Sequence, residues 1–301
     1  MRFLLVNAHV VTMDEAETEL DGGWILVEDG LVGAVGAGER PDADRVDLGG
    51  AVVTPGLVNA HHHLYQTLTR ARAQEADLFS WLRALYPLWT GIDAETEYAA
   101  ARTGLAELAL SGCTTVFDHH YVFPRGREGL VEAEVQAARE LGVRIVASRG
   151  SMDLGASQGG LPPDELVEDP DAALADTERL ASALHEPGAG ALVQIAVAPC
   201  SPFSVTRELM TRSAELARRL DLRLHTHLAE TSEEEAYCRE RFGCTPVEYL
   251  EQLEWLGEDV WCAHCVHLSD GEISRFSATG TGVAHCPTSN LRLGAGVAPV
   301  A

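Results

Sequence analysis

Three consecutive histidines, His61, His62 and His63, close the stretch P-G-L-V-N-A-H-H-H at residues 55–63. They end an apolar run at 51–58 that is rich in β-branched residues and reads as a strand. On a strand, residues i and i+2 share a face, so His61 and His63 project together while His62 turns away. Two neutral imidazoles aimed at one point suit a divalent metal ion such as zinc. A surface accident gives the same letters, so the other histidines decide. H-T-H-L-A-E at 225–230 repeats the spacing and adds a carboxylate, Glu230. Metal-assisted hydrolysis needs such a pair: the metal lowers the pKa of bound water and the carboxylate moves protons. The alternative is a core histidine pair bonded to backbone. W-C-A-H-C-V-H-L at 261–268 sets His264 in an apolar run, where a buried imidazole needs a partner. V-A-H-C-P-T-S-N at 283–290 reads as a polar turn, and A-P-C-S-P-F-S at 198–204 as a loop.

Other patterns point elsewhere and lack context. Residues 155–159 match G-x-S-x-G, but they lie in a glycine-rich loop before Pro162 and Pro163, not on the sharp strand-to-helix turn a nucleophilic serine requires. Cys262 and Cys265 form a C-x-x-C inside a strand pattern, with no second pair to complete a zinc site. The H-x-E and P-C-x-x-C signatures of small zinc nucleobase deaminases do not occur.

The elements that must position these residues alternate. Residues 1–12, 24–28 and 31–35 read as short strands of a β-meander with Asp-Gly turns between them. From 51 onward apolar strands alternate with amphipathic helices, and strands end near His61, Asp118, Arg149, Pro199, His227, His264 and His285. The span 245–256 predicts a helix, with Thr245 as N-cap, Pro246 first, Glu248 completing a capping box and Gly257 beyond the end. Another runs over 93–111 and stops at Gly112. Seven strand-then-helix steps predict an α/β fold, a TIM-type (β/α)8 barrel truncated before strand 8, whose chemistry sits at the C-terminal strand ends. Residues 1–54 are expected to form part of a small N-terminal β-sandwich, and 55–301 the incomplete barrel.

Composition narrows the function. Of the 301 residues, 46 are Asp or Glu and 22 Lys or Arg, a net charge of −24 that repels phosphate backbones, so no nucleic-acid partner is expected. No apolar run approaches the ~18 residues of a membrane span. Seven cysteines without a secretory signal fit reduced thiols and a cytoplasmic location.

Together, P-G-L-V-N-A-H-H-H, H-T-H-L-A-E, A-H-C-V-H-L and A-H-C-P-T-S-N resemble the amidohydrolase superfamily, in its cytosine deaminase and chlorohydrolase-like branch. They occur in order and cover nearly the whole chain. The finer text at 61–71, 77–89, 198–205 and 289–300 is most similar to members acting on 8-oxoguanine, yielding urate and ammonia. Members acting on guanine, S-adenosylhomocysteine or triazines share much of it.

The resemblance implies one divalent metal ion, Zn2+ or else Fe2+, held by His61, His63, His227 and an Asp at the end of an eighth strand. Glu230 would shuttle a proton to the ring nitrogen, and His264 would hydrogen-bond the attacking water or the developing oxyanion. Gln66, Trp89, Cys200 and Phe203 would line the pocket of a small heterocyclic substrate, although core packing explains Trp89 equally well. His62, His225 and His267 are treated as structural. The eighth-strand Asp, ligand and base together, is not among these residues, so an incomplete gene reading or an inactive metal-binding fragment is expected. A homo-oligomer is compatible with all of this.

Overall fold

The computed structural model describes residues 1–188 and 190–300. They divide into two compact units, Met1–Leu57 and the chain from Val58 onward.

The first unit is one five-stranded sheet: β1 (Arg2–Val11), β2 (Glu19–Glu28), β3 (Leu31–Gly36), β4 (Asp44–Asp47) and β5 (Val52–Val53). Leu4, Val6, Ala8 and Val10 alternate along β1 and are buried, the period of a sheet with one covered face. Asp29 and Gly30, both at positive φ, make the tight turn between β2 and β3. The meander reading holds for β1–β2–β3, which are antiparallel, but β4 and β5 return parallel to β1. The apolar run at 51–58 is not one strand. Val52 and Val53 pair with β1, and a new strand starts at Leu57. Pro55 between them has no N–H to give to a ladder.

The second unit alternates strands and helices. Its elements are β6 (Leu57–His62), α1 (Leu78–Trp89), α2 (Ala94–Leu110), β7 (Cys113–Asp118), α3 (Leu130–Leu141), β8 (Arg144–Ser151), α4 (Pro170–Leu184) and β9 (Val193–Pro199). They continue with α5 (Arg207–Arg219), β10 (Leu224–Leu228), α6 (Ser232–Phe242), α7 (Pro246–Gln252), β11 (Val260–His264), α8 (Asp270–Thr279), β12 (Gly282–Ala284) and α9 (Pro287–Arg292). The seven strands lie in sequence order from β6 to β12, the pattern of repeated βα units. The sheet curls into a nearly closed barrel: at one end His61 of β6 meets His225 of β10, and Trp261 of β11 donates to the Ala60 carbonyl at 3.1 Å. Every residue of β10, and six of the seven in β9, is buried, as in strands covered on both faces.

The helix over 93–111 forms as Ala94–Leu110, with Asp93 and Thr96 closing a capping box. The helix expected over 245–256 keeps its Thr245 and Glu248 box but ends at Gln252. Trp255 is the cause: it is fully buried, its indole N–H donates to the Met210 carbonyl at 2.9 Å, and Glu254 takes a left-handed φ to bring it there. The polar turn expected at 283–290 does follow the end of β12, at residues 285–286, but it passes at once into α9, with Pro287 at the first helical position. Among the described residues no helix is long and apolar enough to cross a membrane.

Candidate metal centre

His61 lies within β6, and His63 has left the strand to cap the 3-10 turn Leu64–Thr69. That turn is held from two sides. Asp118 at the end of β7 accepts the Leu64 N–H at 2.6 Å. Gly104 of α2 lies beneath it, where a Cβ would stand only 2.8 Å from Leu64 Cδ2. His63 Nδ1 donates to the His119 carbonyl at 2.7 Å. On β10, His227 Nδ1 donates to the Cys200 carbonyl at 2.7 Å. Each ring therefore keeps a bare lone pair on Nε2, and the two Nε2 atoms face each other at 3.1 Å. Two lone pairs at that distance repel unless a positive charge lies between them.

Two more imidazoles join them. His61 Nδ1 meets His225 Nε2 at 2.9 Å, while His61 Nε2 is buried without a partner. His119 Nε2 donates to the Ala198 carbonyl at 2.9 Å, which leaves its Nδ1 buried and unpartnered. One nitrogen from each of His61, His63, His119 and His227 lies within 4.8 Å of the others. Burial first, and then neighbouring imidazoles, holds all four well below the ordinary histidine range. They are neutral at pH 7, the form that binds a metal. A nitrogen-rich donor set with unpartnered buried lone pairs fits a zinc-type divalent ion.

Glu230 and His264 stand beside this cluster. Both are buried, and His264 Nδ1 is 3.5 Å from Glu230 Oε1. Burial pushes the Glu230 carboxyl up to about 8, so it carries a proton to give. Glu234 of α6 fixes the loop that presents it, accepting the N–H groups of Ala229 at 2.8 Å and Glu230 at 3.1 Å. His264 Nδ1 also bonds Asn290 Oδ1 of α9 at 2.8 Å, and burial brings this imidazole down to about 4. His264 and Ala229 both take left-handed φ values, as do few residues other than glycine, and both sit where strands turn into the centre.

The expected pocket residues are placed less uniformly. Gln66 is half-buried in the turn after His63 and shares a groove with His63, Arg70 and Trp81. Cys200 is buried 4.0 Å from His227 Nδ1, but its carbonyl makes the strong contact, and burial raises its thiol to about 12. Phe203 is buried edge-to-face on Phe79 at 5.3 Å. Trp89 is 1% exposed in an aromatic cluster with Tyr65, Trp81 and Tyr86, its N–H bonded to Thr69. His225 touches His61, and His267 bonds the Ala295 carbonyl at 3.1 Å. Ser157 of the G-x-S-x-G match lies on a short 3-10 turn, and Cys262 and Cys265 are free thiols.

Sequence pattern gave no role to His119, Glu234 or Asn290. The D-H-H at 118–120 was the available signal for the first, since it closes a strand as the other histidine motifs do.

Residues 52–301 match the model of the amidohydrolase family. The chain is 51% identical over 283 residues to the 8-oxoguanine deaminase of Pseudomonas aeruginosa, covering 92% of this chain and 63% of that protein. It is 38% identical to the hydroxydechloroatrazine ethylaminohydrolase of Pseudomonas sp. strain ADP, over 97% of this chain and 63% of that one. The solved structure of the atrazine chlorohydrolase of Arthrobacter aurescens, complexed with zinc, superposes with a TM-score of 0.93 at 34% identity, over 99% of this chain and 68% of that one. The chain thus spans 63% of the length of these two curated relatives. With its family model matched over most of its length and its histidine motifs gathered into one centre, the chain belongs to the amidohydrolase family.

Proposed function

We propose that the protein is a metal-dependent hydrolytic deaminase of an amino-substituted heterocycle, with 8-oxoguanine, converted to urate and ammonia, as its substrate. The observation that carries the metal-dependent reading is the pair of bare Nε2 atoms of His63 and His227 at 3.1 Å, with protonated Glu230 beside them. His61, His63 and His227 hold the ion, Zn2+ or Fe2+, and His119 offers a fourth nitrogen. A divalent ion held there would supply Lewis acidity, which makes a hydroxide-like nucleophile available at neutral pH. Glu230 then protonates the ring nitrogen, a step that a carboxyl poised near 8 performs at physiological pH. His264, fixed by Asn290, orients the attacking oxygen. Gln66, Cys200, Phe203 and Trp89 shape the pocket, Trp89 by supporting the turn that carries Gln66. The partner is a small neutral base and not a nucleic acid, in keeping with the charge of −24. The seven free cysteines suit the reducing cytoplasm.

The 51% identity to an 8-oxoguanine deaminase supports the substrate. The 38% relative, an ethylaminohydrolase, supports a second reading with an alkylamine as leaving group. The zinc-loaded full-length protein is expected to release ammonia from 8-oxoguanine faster than from guanine or S-adenosylhomocysteine, and faster than ethylamine or chloride from triazines. Release from guanine or a triazine with none from 8-oxoguanine would overturn the substrate assignment and leave the hydrolytic reading standing.

A further inference from the structure

Behind the histidine centre, four ionisable side chains pack together with no exposure to solvent: Glu97 of α2, Asp118 and His120 at the end of β7, and Glu134 of α3. Both carboxylate oxygens of Glu97, both of Glu134, Oδ2 of Asp118 and Nδ1 of His120 have no hydrogen-bond partner. His120 Nε2 donates to the Val122 carbonyl at 2.9 Å, and its Nδ1 faces Glu97 Oε2 at 3.7 Å. That separation is longer than a charge-assisted hydrogen bond of about 2.7–2.9 Å. It falls in the range of about 3–4 Å between two ligands of one ion whose own bonds are about 2.1 Å. One donor atom from each of Glu97, His120 and Glu134 lies within 4.8 Å of the others. Among the described residues the one ion pair made by any of these acids is that of Glu97 with His120. Three buried carboxyls against one imidazole leave negative charge uncompensated. A proton shared between Asp118 and Glu134, and a second on His120 facing Glu97, still leave one net negative charge buried with no cation against it.

We propose that Glu97, His120 and Glu134, with Asp118 beside them, bind a second divalent cation, distinct from that of the histidine centre. Mixed carboxylate and imidazole donors select a first-row ion of the Mn2+, Fe2+ or Zn2+ kind. The ion would be structural, and the elements it ties together show its purpose. It joins α2 and α3 to the end of β7, where Asp118 holds Leu64 and His119 gives its carbonyl to His63. The second cation thus fixes the strand end that orients His63 and touches no substrate.

The test uses manganese. A chain carrying His63→Ala and His227→Ala, which dismantle the first centre, is equilibrated with Mn2+ and gel-filtered. One retained equivalent per chain and a raised thermal midpoint are expected, and adding Glu97→Gln and Glu134→Gln abolishes both. Should any variant fail to fold, crystals of the unmutated protein soaked in Mn2+ decide, with an anomalous peak expected among Glu97, His120 and Glu134. No retained manganese in the folded double variant, retention after the two glutamates are replaced, or no anomalous peak overturns the proposal. So does an infrared carboxylic-acid band that persists in the manganese-equilibrated protein and that Glu134→Gln removes, because protons would then be what neutralises the cluster.

Discussion

At the scale of single residues, the proposed function assigns some groups of the centre to holding a metal and others to moving a proton, and substitutions should separate them. His63→Ala removes one of two facing lone pairs and should strip the first metal and turnover together. Glu230→Gln keeps the side chain's shape and lacks only its titratable proton. It should retain that metal and slow turnover by roughly 10² or more. Metal content by emission spectroscopy alongside ammonia release checks both; stoichiometric metal at the histidine centre of His63→Ala would mean that the ligands lie elsewhere. Cys200 gives the opposite expectation. Its contact to His227 is a backbone carbonyl and its thiol is raised to about 12, so Cys200→Ala should keep the metal, and iodoacetamide should leave the native thiol unmodified.

At the scale of elements, strand ends do the positioning, and their closeness is a requirement. Gly150 near the end of β8 donates to the His120 carbonyl at 2.8 Å. A Cβ there would collide with that carbonyl and stand 2.7 Å from Tyr121 Cβ and 2.8 Å from the Ala198 carbonyl. Gly150→Ala should therefore cost roughly 1–3 kcal/mol, read as a lowered denaturation midpoint, because backbone must move. An unchanged midpoint would mean that the strands slide apart freely. This approach is invisible in the sequence, where Gly150 is one glycine among 28. What was legible is what has a local cause. All seven strand ends of the barrel were readable, since β-branched runs stop at polar residues, and the capping box at Thr245 fixed one helix start. The end of α7 was not, because burial of Trp255 against Met210 decides it and that contact is non-local. In the proposed site, His61, His63, His227, Glu230 and His264 were named through spacing and resemblance. His119 lies one residue beyond its strand, where alternation no longer predicts direction, and Asn290 reaches His264 only because α9 forms.

At the scale of the whole molecule, buried ionisable groups set the pH range of stability. His61, His62, His63, His119, His225, His227 and His264 are all lowered, chiefly by burial, His264 to about 4. Below about pH 6.5 the unfolded imidazoles take up protons that the folded ones refuse, so stability falls as the pH drops toward about 4. Buried carboxyls act in the other direction. Glu230 and Glu234, raised to about 8 by burial, keep protons in the fold that the unfolded chain releases above about pH 4.3. Their stabilisation is complete below that value and fades as the pH rises through about 8. Asp118, raised to about 6, and Glu134 add to this slope. The lowered imidazoles outnumber the raised carboxyls, so the acid side is the steeper, and above about pH 6.5 only the opposing slope remains. The metal-free chain should be most stable near about pH 6.5. Thermal midpoints in chelator from pH 4 to 9 check this, and Glu230→Gln should flatten the alkaline side and steepen the acid side above about pH 4.3, where the unfolded carboxyl has already lost the proton that the folded one keeps. A midpoint that climbs steadily through pH 8 would mean that these carboxyls ionise freely in the fold. Added zinc should shift the maximum upward in pH, because it competes with protons for the same imidazole lone pairs and binds the folded chain alone.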